Sequence, residues 1–482
     1  MTNKKYNSKC RVRFAPSPTG NPHVGNFRTA LYNYLFARHA EGEFLLRIED
    51  TDKERSRKEY ETAILQSLAW MGLQWDGDPY YQSAHVERHR SEAQRLLAEG
   101  KAYRCRCRPE ELEERRKAQM EAGRNPMYDG RCRDQNHPDG GEPFCVRLKT
   151  PREGITTIRD PIRGDIAISN EEMDDLIILR TDGTPTYNFA VVVDDYDMGI
   201  THVIRGDDHL NNTARQVLIY RLLDYPLPAF AHLPQILGQD RSRLSKRHGA
   251  TGVLEYREQG YLPEALINYL AKLGWGYGDQ EFFTREELIR LFTLETINKS
   301  AAVFDPQKLI WLNGEHIRAL DAETLTDRFI EYVQFRGYLS ESFCNDPDRR
   351  PLFRKIVSCT QIRAKTLDEI YEKVSFLFSD ELVFPQDESR KWFQPEVMAA
   401  VQDLADFAAE NRQSPPSHEA WEAAFGAVLE THKLKMKVLA QAVRLALTGA
   451  AITPPIFDVI DMLGIEQVEQ RLRRAVEFAK TI

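Results

Sequence analysis

The sequence predicts an α/β chain: a doubly wound parallel sheet in the N-terminal half, interrupted by an insertion, followed by an all-helical C-terminal half. Three observations carry this. Residues Arg11 to Asn26 read as a short strand, a proline-stiffened loop and the start of a helix. Two further apolar strands, Glu43 to Asp52 and His202 to His209, end in polar residues, as strands of a parallel sheet do where they carry ligands. From about Asp321 to Ile482 the apolar residues recur mostly with helical period.

The first unit sets the rest. Val12 and Phe14 alternate as in a strand, and Pro16, Pro18, Gly20 and Pro22 then force a turn. Phe27 to Arg38 has helical spacing. His23 and Gly25 fall where that helix begins, and free N–H groups and the positive end of a helix dipole favour an anion there. Gly25, without a side chain, lets a flat ring approach the backbone.

The string Pro-Ser-Pro-Thr-Gly-x-x-His-x-Gly resembles the first signature of class I aminoacyl-tRNA synthetases, in the form used by the glutamyl and glutaminyl enzymes. The family pattern ends His-Ile-Gly-His. Here it is His23-Val24-Gly25-Asn26, and Asn26 is given no role.

Composition bounds the reading. The 482 residues allow several domains with sizeable cores. A net charge of −8 excludes a wholly basic nucleic-acid binder, so any RNA contact must come from local patches. Seven unevenly spaced cysteines do not form a secreted disulfide framework. Met1 to Cys10 is polar, without the apolar core of a secretory signal, and no apolar run reaches membrane length. The expectation is a cytoplasmic enzyme.

In chain order, Glu49 ends the second strand and is placed to hold an ammonium group, while Asp50 and Asp52 read as structural. Arg55–Trp70 and Ser83–Gly100 read as helices, with a turn at Met71–Asp76. Cys105-Arg-Cys107 and Cys132 flank a charged helical hairpin, Pro109 to Gly123, and three such thiolates can hold zinc. This grouping resembles the zinc module in the acceptor-binding insertion of some bacterial glutamyl enzymes, whose last pair is often Cys-x-His. Here it is Cys132-Arg-Asp134, so the resemblance makes Asp134 the provisional fourth ligand, with Tyr128 and His137 as rivals. Residues 144 to 200 read as strands and turns that interrupt the βα pattern. Thr184 to Asp195 reads as a buried strand ending in two acids, with Tyr187 and Asn188 able to bond a polar substrate. Arg205 is the natural partner of a carboxylate, since its fork binds bidentately.

The basic segment Gln239 to His248 contains Arg243-Leu-Ser-Lys-Arg247, which resembles the second class I signature, Lys-Met-Ser-Lys-Ser. Lys246 matches its second lysine and Arg243 replaces the first. The two signatures lie more than two hundred positions apart and in family order. Leu262 to Trp275 is a helix opened by Pro263 and closed by Gly274. Ala302 to Gly314 resembles the family's stem-contacting region, and Ile362-Arg-Ala-Lys-Thr-Leu367 its anticodon domain, with Arg363 the candidate base reader. Ser414-Pro-Pro416 and Thr453-Pro-Pro455 mark helix breaks. Basic clusters at Arg349-Arg350 and at Lys433, Lys435 and Lys437 read as solvated faces.

The whole chain is similar to bacterial-type glutamyl-tRNA synthetases. That resemblance implies a Rossmann-like catalytic domain in two halves (1–102 and 201–250), an acceptor-binding insertion (103–200), a stem-contact domain (251–320) and a helical anticodon-binding domain (321–482). It implies a glutamate pocket of Arg13, Ala15, Ser17, Glu49, Tyr187 and Arg205. Val191 stands where some members have an amide and is given no contact, and His209 is a lining residue only. The ATP site would comprise His23, Gly25, Arg243, Ser245 and Lys246, with His23, Gly25 and Lys246 catalytic. The implied metal ligands are Cys105, Cys107, Cys132 and Asp134. The implied reaction joins L-glutamate to ATP, with Mg²⁺, and then to tRNA(Glu); a monomer, away from membranes, is expected. Glutaminyl enzymes are the nearest rivals, but their distal half is β-barrel rather than helical. A non-catalytic tRNA-binding relic would lack the signature residues present here.

Overall fold

The computed structural model describes residues 9–245, 252–379 and 382–482. The chain divides into two compact units, Met1–Tyr256 with Pro263–Pro306 and Arg257–Leu262 with Gln307–Ile482. Among the described residues no helix is long and apolar enough to cross a membrane.

The first unit opens with β1 (Arg11–Phe14), α1 (Val24–His39) and β2 (Glu43–Ile48). β1 and β2 pair in parallel, with Arg13 opposite Leu45, and the apolar side chains of both are buried apart from the half-buried Leu45. The crossover through α1 is what parallel neighbours require. After α2 (Lys58–Trp70), β3 (Tyr80–Tyr81) pairs in parallel with β2, and α3 (Val86–Ala98) follows.

The insertion is antiparallel. β4 (Ala102–Cys105), α4 (Pro109–Glu121) and β5 (Cys145–Leu148) lead to the hairpin β6 (Ile155–Asp160) and β7 (Gly164–Ser169), then β8 (Ile177–Leu179). β4, β5 and β8 form one sheet, and β6 pairs only with β7.

The parallel pattern then resumes with α5 (Tyr187–Asp197), β9 (His202–Gly206), α6 (Leu210–Leu222) and β10 (Ala229–Leu233). Thr201, just before β9, donates its N–H to Arg11 O at 3.0 Å, which sets β9 beside β1. One expectation fails here: Thr184 to Asp195 is not a strand, because Tyr187 opens a helix. Phe189 to Asp195 is buried without interruption, so the 3.6-residue period that marks a helix has no exposed face to show. The valines at 191–193 then mislead, since their β-propensity yields to packing against α3 and α6.

The unit closes with β11 (Ile236–Leu237), α7 (Val253–Glu258), α8 (Pro263–Lys272), α9 (Arg285–Leu291) and β12 (Ala302–Val303), which pairs with β11.

In the second unit every regular element described is helical: α10 (Pro306–Ala319), α11 (Ala322–Phe335), α12 (Glu341–Cys344), α13 (Arg350–Thr360), α14 (Leu367–Val374), α15 (Gln386–Trp392), α16 (Pro395–Glu410), α17 (His418–His432), α18 (Met436–Thr448), α19 (Ile456–Leu463) and α20 (Ile465–Ala479). The boundaries follow local chemistry. Asp321 and Ser417 cap α11 and α17 with side-chain oxygens, and Gly449 ends α18 in the left-handed region. The breaks at Ser414–Pro416 and Thr453–Pro455 fall between helices. Leu404, Ala405 and Ala408 of α16 share a buried core with Val468, Leu472 and Ala475 of α20.

Candidate active site and metal centre

A cavity of about 420 Å³ opens at the C-terminal ends of β1, β2, β9 and β10 and at the N-terminus of α1. This is where doubly wound sheets bind ligands. Its wall includes Arg13, Ala15, Ser17, Glu49, Tyr187 and Arg205, together with His23, Gly25, Arg243 and His209. Asn188 is not in the wall: its Oδ1 accepts from Gln216 Nε2 at 3.1 Å. Val191 is buried and also outside it. Ser245 is exposed beyond the wall, and Lys246 lies outside the described residues.

The pocket rests on four buried charges. Arg13 donates from Nε and Nη2 to the two oxygens of Asp195 at 3.0 and 3.4 Å. Arg47 donates from Nη1 to Asp195 Oδ1 at 2.5 Å and from Nη2 to Glu49 Oε1 at 3.2 Å. Arg13 lies opposite Leu45, two residues before Arg47, so both guanidinium groups leave one face of the sheet. Asp195 comes from α5. Burial alone would push its carboxyl up, but Arg13 and Arg47 outweigh burial and hold it below the usual carboxylate range. Glu49 differs: burial wins over Arg47 and Arg13, and its pKa is raised. Arg47 and Arg13 do not fully offset the burial of Glu49, and a bound ammonium group would add positive charge beside it.

Arg205 stands outside this neutral quartet. It is 6% exposed, and its Nη2 donates to Thr213 Oγ1 at 2.6 Å and to Gln216 Oε1 at 2.7 Å. Its Nε and Nη1 are buried without a hydrogen-bond partner, and no carboxylate pairs with it among the described residues. A buried guanidinium with two free donors is an incomplete carboxylate site. Tyr187, the first residue of α5, brings its hydroxyl to 3.3 Å from His209 Nδ1.

At the start of α1, His23 is the N-cap. Its Nδ1 accepts from Gly25 N at 3.1 Å, and Asn26 Oδ1 accepts from His23 N at 3.3 Å, a reciprocal capping box that gives Asn26 a structural role. A side chain at position 25 would put its Cβ 2.9 Å from the His23 ring, so glycine is required for the ring to fold back. Burial and the nearby Arg243 lower the His23 pKa, with Asp208 opposing. The neutral ring that accepts at Nδ1 carries its proton on Nε2, and so keeps one donor for a ligand. Arg28 of α1, 3% exposed, bonds Pro234 O after β10 and Leu273 O after α8, and fixes the wall.

Residues 9–311 match the model of a family described as tRNA synthetases class I (E and Q), catalytic domain, and residues 324–476 match an anticodon binding domain. The chain belongs to the class I tRNA synthetases of the E and Q group. Similar proteins include a glutamate–tRNA ligase of Geobacter sulfurreducens, 49% identical over 471 residues that cover 98% of this chain and 99% of that one. Glutamate–tRNA ligase 1 of Syntrophus aciditrophicus is 48% identical over 471 residues, covering 98% of each. A solved glutamate tRNA ligase from Elizabethkingia meningosepticum, in complex with its amino acid, matches with a TM-score of 0.81 at 32% identity, over 98% of this chain and 99% of that one.

In this synthetase the insertion gathers Cys105 at the end of β4, Cys107 and Cys132, whose Sγ atoms all lie within 4.8 Å of one another. Asp134, the expected fourth ligand, is not brought to them: it is exposed and outside the group, and its rival His137, half-buried, is outside the group too. The chain turns at residues 130–135, where Arg133 N bonds Gly130 O and Gln135 N bonds Cys132 O, so the side chain two places after Cys132 points elsewhere. The Tyr128 hydroxyl sits in the cluster instead, 3.4 Å from Cys105 Sγ, 3.7 Å from Cys107 Sγ and accepting from Cys132 N at 3.1 Å. Hydrogen bonds from Cys145 and then Tyr128 hold the Cys105 thiol well below its usual range, with Arg147 adding to them. The Arg147 guanidinium lies 3.8 Å from the Tyr128 ring centre.

In the anticodon domain Arg363 is exposed beside Ile362, itself 76% exposed, on the turn between α13 and α14. Of the other basic clusters, Arg350 is spent on Glu323 and Asp327, and Lys433 ends α17 in the left-handed region.

The quartet yields a stability prediction. Asp195→Asn removes the carboxylate that both arginines share, and should cost the fold about 3–5 kcal/mol. The folded pKa of Asp195 lies below that of the unfolded chain, about 3.9, so its contribution is complete above that pH and is lost as pH falls through the lower folded value. Urea denaturation at pH 7 and pH 3 should show a large gap between parent and variant that narrows in acid. Equal stability at pH 7 would contradict the role given to Asp195.

Proposed function

We infer that this chain is a glutamate–tRNA ligase. It activates L-glutamate with ATP to glutamyl-adenylate and transfers the acyl group to the 3′-terminal adenosine of tRNA(Glu). The observation that carries this reading is Arg205, a buried cation with two free donors beside an electrically balanced quartet. Glutamate offers the missing negative charge on its side chain; glutamine does not.

The roles follow from the geometry. Arg205 takes the side-chain carboxylate, with Tyr187 beside it. Glu49 takes the ammonium group. Ser17, Ala15 and Arg13 close the wall on the β1 side. The α-carboxylate is left directed toward the start of α1, where the His23 Nε2 donor and the N–H groups of the helix meet the phosphates of ATP, which enters as its Mg²⁺ complex. The α-carboxylate oxygen attacks the α-phosphorus, and pyrophosphate leaves. Lys246 and Arg243 offset the charge that gathers on the phosphates. The 2′-hydroxyl of the terminal adenosine then attacks the acyl carbon, and AMP leaves. Catalysis is mainly positioning and charge neutralisation. The catalytic halves are 1–102 and, since α5 rejoins the parallel pattern and carries Tyr187 and Asp195 to the pocket, about 187–250 rather than 201–250; the acceptor end lies against the insertion before α5, the stem against 251–320, and Arg363 within 321–482 reads the anticodon. The protein acts as a cytoplasmic monomer.

The cysteine cluster suits one Zn²⁺, held by Cys105, Cys107, Cys132 and the Tyr128 oxygen. Three sulfurs and a hydroxyl already converge there, and a site filled by four protein ligands is structural. Bound zinc would stiffen the insertion and supply no reaction chemistry.

Two measurements test this. Charging of tRNA(Glu) transcript should proceed with glutamate and fail with glutamine, and Lys246→Ala should slow it about 10²-fold or more through adenylate formation. Normal pyrophosphate exchange in that variant, measured with tRNA present, would refute the role of Lys246. Elemental analysis of protein purified without chelators should find one zinc per chain, lost in Tyr128→Phe and kept in Asp134→Ala. The reverse pattern would return the fourth ligand to Asp134.

A further inference from the structure

Arg205 does not orient itself. Its side chain is aimed by groups that none of the sequence motifs include. Thr213 and Gln216 lie on α6, one turn apart, and both accept from Nη2. Behind Thr213 stands His232 of β10, fully buried, with Nε2 at 2.7 Å from Thr213 Oγ1. Behind His232 stands Asp160, at the end of β6 in the insertion, with Oδ2 at 2.7 Å from His232 Nδ1. The same Oδ2 accepts the His232 backbone N–H at 2.9 Å, and Oδ1 accepts from Ile162 N and Arg163 N at 2.8 Å.

The donor and acceptor inventory of these side chains orders the bonds of this chain. Arginine has donors only, so Thr213 must show Arg205 a lone pair. Asp160, with backbone donors on both oxygens, is an ionised acceptor and holds the proton of His232 on Nδ1. His232 Nε2 is then bare and accepts from Thr213 Oγ1 at 2.7 Å, the shorter of the hydroxyl's two acceptor contacts; the other is His209 O at 3.2 Å. Burial, and Arg205 beyond Thr213, keep the imidazole neutral against the pull of Asp160. Gln216 follows the same inventory. Its oxygen faces Arg205, so its amide donates to Asn188 Oδ1. Both acceptors sit on Nη2, the nitrogen on the same side of the guanidinium as the Nε–H; the free donors of Nε and Nη1 therefore point to opposite sides, and a carboxylate meets one or the other rather than both at once.

We propose that Asp160 and His232 are positioning residues for Arg205, acting through Thr213, and that they set the affinity of the pocket for the side-chain carboxylate of glutamate. This rests on the reading of Arg205 as the carboxylate partner. A carboxylate on the hairpin of the insertion thus tunes the amino-acid site of the catalytic sheet.

The test is pyrophosphate exchange by the full chain with tRNA(Glu) transcript present, varying glutamate at saturating ATP and then ATP at saturating glutamate. Thr213→Val keeps shape and removes the hydroxyl; it should raise KM for glutamate about tenfold, with KM for ATP unchanged and kcat nearly so. Thr213→Ser should restore the parent values. His232→Leu should act in the same direction, and the double variant with Thr213→Val should add little, because both break one chain. Equal losses in both KM values and kcat, or additive losses in the double variant, would overturn the proposal and leave these residues structural. Arg205→Ala separates the two claims. If it raises KM for glutamate while Thr213→Val and His232→Leu do not, the relay fails and the pocket stands. If it leaves KM for glutamate unchanged, the pocket reading fails and the relay with it.

Discussion

The burial of Arg47 is the constraint on which the site depends. It is fully buried in the middle of a parallel sheet, where an unpaired guanidinium would cost several kcal/mol. Only two carboxylates in direct contact make that position tenable, Asp195 from α5 and Glu49 from the end of its own strand. Both are thereby fixed. Asp195 in turn holds Arg13 on β1, and α5 carries Tyr187 to the wall. A second buried network anchors α5: Asp194 accepts from Gln82 and Tyr80 and meets His89 at 2.6 Å. The floor of the pocket is thus rigid before any ligand arrives, which suits an enzyme that must hold two small reactants in line.

Charge balance underlies the selectivity proposed for the pocket. The quartet is neutral, so it neither attracts nor repels a carboxylate. Arg205, with neutral partners only, carries the unbalanced charge, and burial lowers its pKa from the usual guanidinium value. Glu49 is raised by burial for the same reason. Both groups are strained electrostatically in the free protein, and a ligand with an ammonium at one end and a side-chain carboxylate at the other relieves both.

The residues that line the pocket were legible in the sequence. Arg13, Glu49 and Arg205 are charged residues at strand ends, and His23 and Gly25 sit at a helix start marked by proline. The parts that hold those residues were not. Arg47 looks like a charge within an apolar strand, and its partner Asp195 is 148 positions away. Thr213, Gln216 and His232 read as ordinary polar residues on a helix and a strand, because nothing local marks them as buried. Asn26 departs from the family pattern, yet its amide does capping work that only the backbone geometry displays. Asp134 was preferred to Tyr128 on sequence because it stands where the resembled zinc module has its second residue after the cysteine, but the turn at 130–135 leaves its carboxylate outside the group of sulfurs. The strand expected at 184–195 failed for the reason that buried segments generally mislead: uniform burial removes the period. The helical C-terminal half was legible because its helices are amphipathic, with high contrast between faces in α13, α18 and α20.

The central claim is that the free donors of Arg205 are the receptor for the side-chain carboxylate of glutamate. A crystal structure of this chain with L-glutamate bound tests it most directly. The account predicts a side-chain carboxylate oxygen within hydrogen-bond distance of a free donor of Arg205, Nη1 or Nε, the ammonium on Glu49, and Thr213 and Gln216 still on Nη2. Glutamate seated with its side-chain carboxylate elsewhere, and Nε and Nη1 still without a partner, would contradict it.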